Sequence, residues 1–125
     1  MTGPAERVLL ALGALAGLLG VGLSAAAAHI SGGGSLETAS RFLLVHAPVL
    51  LVLAALIGQA LVHRGLGRIA GAGMVLGLAL FCGDLSVRVL LGVAPVPMAA
   101  PIGGSVLMLA WAVLILAPFL RNRPS

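Results

Sequence analysis

Four long apolar runs, broken only by short polar links, dominate this chain and leave it few ways to fold. They extend from Val8 to about His29, from Phe42 to Val62, from Ile69 to Val93 and from Ile102 to Leu120. Each has about the 20 residues that a helix needs to cross the roughly 30 Å hydrocarbon core of a bilayer. In lipid, backbone polar groups must pair within the segment or within a closed barrel, and no barrel fits this pattern. Pro48 is expected near the start of its helix and Pro118 near an end, where a missing N–H costs least. The expected fold is therefore all-α: a polytopic membrane protein of one domain, residues 1–125, forming a four-transmembrane-helix bundle with short loops. Composition agrees, since 61% of the residues are hydrophobic and 8% charged, against about 25% charged in soluble domains.

The charges that remain are informative by position. All seven basic residues are arginines, spread along the edges of the apolar runs. That placement suits topology signals and lipid headgroups rather than nucleic acid. With four spans, the N-terminus, the middle link "HRGLGR" and the C-terminus share one side, which carries Arg7, Arg64, Arg68, Arg121 and Arg123. The opposite loops hold only Arg41, offset by Glu37. Both termini are thus expected in the cytoplasm. "SAAAAH" offers small residues of the kind a leader peptidase cuts, but Glu6 and Arg7 cancel in the preceding region and the run is too long for a leader, so the first segment is read as a span.

Lipid gives helices no hydrophobic drive to associate, so small residues that allow close approach matter. The first run carries Gly13 and Gly17 in a GxxxG pair and a second row at Ala16, Gly20, Ser24 and Ala28; the third carries Gly67, Gly71, Gly73 and Gly77. Packing within the chain is the expected use, with a second copy as the alternative.

Few costly side chains lie at membrane depth, and they fall near the non-cytoplasmic end. Asp84 sits about 22 Å along its helix from Ile69, with Arg88 about 6 Å further on the same face. His29 closes the first helix, and His46 is placed about one turn into the second. Such groups usually turn inward and pair, so Asp84 is expected to pair with Arg88 or a histidine. His29, His46, Asp84 and Arg88 together form the candidate polar pocket. Their separations match no compact metal motif, so no metal or other cofactor is expected. His63 is read as a headgroup contact, Cys82 as a packing residue, and Trp111 as packed against a neighbour with its N–H seeking an acceptor. Ser86 and Ser105 have no evident base, and no phosphate loop is present. No catalytic residue is assigned, and the chain is not expected to be an enzyme. One cysteine excludes an intrachain disulfide.

The sequence resembles the DUF423 (TMEM-256-like) family of small four-helix membrane proteins. The likeness rests on "GLSAAAAHI" closing the first helix, on the His-Ala pair in "ETASRFLLVHAPVLL", loosely on "LALFCGDLSVRVL", and on "PIGG" opening the fourth helix. The chain departs from the family pattern at Leu44–Val45 and at Cys82–Gly83–Asp84, so Asp84 is not carried over. The resemblance implies an inner-membrane location and a four-helix fold, and makes His29, His46 and the motif Pro101, Ile102, Gly103 and Gly104 the family-like positions. It implies no activity. The leading expectation is a structural or accessory component of a membrane assembly, in contact with the lipid bilayer and with a protein partner or a second copy. The alternative is a small-molecule or ion binding or transport protein with its pocket near the outer face.

Overall fold

The computed structural model describes residues 3–31, 34–94 and 96–124; Gly32 and Gly33 of the Gly/Ser loop and Pro95 of the proline-rich link lie outside them. Four helices follow in order: α1 (Pro4–Ala26), which runs into a wide π turn (Ala27–Ser31), α2 (Ser35–Gly58), α3 (Arg64–Leu91) and α4 (Ala99–Leu116), which tightens into a short 3-10 turn (Ala117–Phe119). All four are long and apolar enough to cross a membrane, and the described residues contain no strand. The protein is a multi-pass membrane protein.

Every helix is longer at its start than the apolar runs suggest. α2 begins at Ser35 rather than Phe42. Its polar first turns stay helical because Glu37 and Arg41 pair at 2.6 Å one turn apart, while Leu36, Ala39 and Ser40 are buried on the other side. It ends at Gly58 rather than Val62, where Ala60 takes a left-handed conformation (φ 57°). α3 begins at Arg64 rather than Ile69 because His63 caps it, its Nδ1 accepting the Leu66 N–H at 3.1 Å. His63 is thus a helix cap. α1 starts on Pro4, whose absent N–H has no helical partner to lose, and α4 starts at Ala99 rather than Ile102.

These shifts move two residues relative to expectation. Pro48 lies in the interior of α2 rather than near its start, so the Leu44 carbonyl loses its usual i+4 donor. His46 lies three turns into α2, about 16 Å from its first residue, and therefore deeper than one turn.

Packing is by hairpins. α1 lies along α2 and α3 along α4, and α2 joins the halves by packing on α3. The small residues set these approaches. A Cβ at Gly13 would stand 3.1 Å from the Ala47 carbonyl of α2, and one at Gly103 only 2.6 Å from the Phe81 nitrogen of α3. The glycine rows therefore seat neighbours within the chain. The buried core runs through α2 and its contacts, with Leu50, Leu53, Ile57 and Met74 at its centre. α1 reaches α3 near the end of the bundle that carries both termini, where Leu9 packs against Gly71; farther along, a cleft lies between them, floored by α2.

Candidate functional site

At the far end, away from the termini, Asp84 and Arg88 pair as their spacing implies. The Arg88 Nε–H donates to Asp84 Oδ2 at 3.0 Å. Asp84 is 3% exposed, while Arg88 reaches outward. Asp84 lies seven residues beyond Gly77, on the helix face that packs against Gly103 and Leu107 of α4. That spacing puts it on the α3 face that meets α4, whose opening turns carry the motif Pro101, Ile102, Gly103 and Gly104. Its Oδ1 has no hydrogen-bond partner among the described residues.

His46 belongs to a different cluster. Its Nε2 accepts the Trp111 Nε1–H at 3.1 Å, and its Nδ1 lies 2.7 Å from the Phe42 carbonyl. Indole donates only and a carbonyl accepts only, so the ring must be the neutral tautomer with its proton on Nδ1. Both ring nitrogens are then engaged, leaving no lone pair for a metal. Phe42 stacks with His46 and tilts against Phe81 at 4.5 Å, so the cluster ties α2 to both α3 and α4. His29 sits exposed on the π turn after α1. The structure pairs Asp84 with Arg88, whereas the bonds of His46 go to Phe42 and Trp111. No three His, Cys, Asp or Glu side chains converge among the described residues.

At the termini end lies an ion pair that the sequence reading passed over. Glu6, 1% exposed, accepts the Arg68 Nε–H at 2.9 Å through Oε1 and the Gly3 N–H at 2.8 Å through Oε2. Glu6 and Arg7 cancel arithmetically, which hid this role. An acidic residue in the first turn of a span, with an arginine opening another span at the same end, was the available signal.

This pair stands at the mouth of the cleft between α1 and α3. The lower part is an open groove of about 640 Å³ beside Arg68, Val8, Ala72 and Leu76. The upper part is an open groove of about 420 Å³ over Leu43 and Leu50 of α2 and ends at Cys82, Gly83 and Ser86. The two parts share Leu12, Val75 and Ala79, so they form one furrow along the bundle. Its α1 wall is mostly leucine, and its α3 wall mixes Val75, Leu76 and Leu78 with the small residues Ala72, Ala79 and Gly83. Ser86 Oγ is buried there with no partner among the described residues. By contrast, Ser105 Oγ donates to the Pro101 carbonyl and Ser40 Oγ to that of Gly20. Neither His29, His46, Asp84 nor Arg88 lines this cleft.

Residues 22–104 match a family model described as "Protein of unknown function (DUF423)". No curated protein and no solved structure matches the chain.

Proposed function

The chain belongs to the DUF423 family, and since that description carries no activity, we propose a function from the geometry: a non-enzymatic accessory protein of the inner membrane, both termini cytoplasmic, that holds an amphiphile from the bilayer in the cleft between α1 and α3. The observation that carries this reading is the cleft itself. It is apolar along its length and open to the lipid, and the chain does not fill it with its own side chains. Pockets of several hundred Å³ with apolar walls and a few polar groups are the usual form of small-molecule sites. Arg68 supplies such a group at the mouth. The orientation follows from the arginines gathered at the termini end.

The test is retention of lipid through purification. Wild-type protein extracted in mild detergent is expected to carry bound amphiphile, seen by mass spectrometry. Gly83→Leu narrows the upper cleft at a position where an added Cβ meets nothing within 4 Å, and should retain less of that amphiphile while keeping its helical content. Equal retention in both proteins defeats the proposal.

The same wall supports a second reading, a component of a membrane assembly whose partner lays a helix in the cleft. Ala79 and Gly83, one turn apart on the α3 wall, form a short small-residue step on which a helix could lie. Under that reading Gly83→Leu removes a co-purifying protein instead of a lipid.

A further inference from the structure

We propose that the amphiphile held in the cleft is an anionic phospholipid from the leaflet at the termini end, with its phosphate on Arg68 and an acyl chain lying between α1 and α3; this rests on the cleft being an amphiphile site. Arg68 lines the lower cleft together with Pro4, Val8 and Ala72. Its side chain is 49% exposed, and only Nε is committed to Glu6 among the described residues. A guanidinium has five N–H donors in a planar fork, so the outer edge remains available to take two phosphate oxygens side by side.

Glu6 offsets part of the Arg68 charge but does not compete for its outer N–H groups. Both its oxygens are satisfied from within, and the residue is buried. Its effect is to fix the guanidinium in place, so little side-chain freedom is lost when a headgroup binds. Arg64 lies one turn earlier on the same α3 face and is exposed, which adds a second cation at headgroup level. Basic pockets between spans at this level are where anionic headgroups are recognised. Beyond Arg68 the furrow continues as hydrocarbon wall past Leu12, Val75 and Ala79. A charged mouth followed by an apolar furrow matches a headgroup followed by its chain.

The experiment uses the full chain, purified in detergent and delipidated, with three probes of identical acyl chains: phosphatidylglycerol, phosphatidylcholine and diacylglycerol. Binding is read by native mass spectrometry and by the shift in melting temperature. Wild type is expected to prefer phosphatidylglycerol. Arg68→Gln should weaken that lipid about fivefold, toward the level of phosphatidylcholine, and leave diacylglycerol unchanged. Glu6→Gln breaks the same ion pair but keeps the cation, so it should retain or strengthen the preference. If Arg68→Gln does not fold, the double variant Glu6→Gln/Arg68→Gln removes both charges and should show no preference. A preference that survives the loss of Arg68, or one that Glu6→Gln abolishes equally, overturns the assignment. Weaker binding of all three lipids in Gly83→Leu keeps the cleft as the binding place. If Gly83→Leu changes none of them, the cleft reading fails, and this assignment with it, whatever Arg68→Gln does.

Discussion

Gly83 and Gly103 are both glycines inside apolar helices, and their surroundings are opposite. Gly83 faces open space, so a methyl group there meets nothing within 4 Å. Gly103 is pressed against α3, where a Cβ would approach the Phe81 nitrogen to 2.6 Å and the Gly77 oxygen to 2.9 Å. Backbone atoms cannot swing aside as a side-chain tip can. Gly83→Ala should therefore raise stability by up to about 1 kcal/mol through helix propensity. Gly103→Ala should lower it by about 1–3 kcal/mol, since the α3–α4 contact must open. Unfolding in mixed micelles, followed by circular dichroism, separates the two signs.

Among the helices, the polar contacts act as register pins. Ser40 Oγ on α2 donates to the Gly20 carbonyl of α1 at 2.8 Å, and the Cys82 thiol on α3 points at the Ala39 carbonyl of α2 at 3.4 Å. His46 and Trp111 join α2 to α4. Trp111→Phe removes the indole donor and leaves His46 Nε2 unpaired in the interior. The expected loss is about 1 kcal/mol, at the modest end of the range because helices unfolded in lipid also find partners; the same unfolding titration measures it. The four helices were legible in the sequence because twenty-residue apolar runs have one solution in lipid, and so was the pair Asp84–Arg88, because four-residue spacing fixes a shared face. That Trp111 would find an acceptor was also legible. Which acceptor was not, because His46 is 65 residues away and only the packing of α4 against α3 brings them level. Helix starts were misread for a simpler reason. Segments such as Ser35–Arg41 and Arg64–Arg68 are polar enough to look like loops, yet one buried side and a local cap or ion pair keep them helical.

For the molecule as a whole, Glu6 and Arg68 close the bundle across 62 residues of sequence. Removing Arg68 alone leaves a buried carboxylate without its cation, whereas removing both charges leaves nothing stranded. Arg68→Gln is expected to destabilise by about 1–3 kcal/mol, moderated because the arginine is half in solvent. The double variant Glu6→Gln/Arg68→Gln should recover part of that loss, and a double-mutant cycle on unfolding free energies gives the coupling. No coupling would mean that the pair does not hold α1 to α3. The cleft was not legible from the sequence at all. It exists because α1 and α3 each have their closest neighbour elsewhere, and a pattern of small and large residues does not reveal which faces end up without one.

The link between Gly58 and Arg64 is held from an unexpected quarter. Asn122, beyond the last helical turn, donates to the Val62 carbonyl at 3.1 Å and accepts the Arg64 N–H at 2.7 Å, and the His63 N–H reaches the Ala117 carbonyl at 2.8 Å. The tail after α4 is therefore the splint of the bend that joins the two hairpins. Trimming the chain ahead of Asn122 would loosen that bend, and with it the angle at which one hairpin leans on the other.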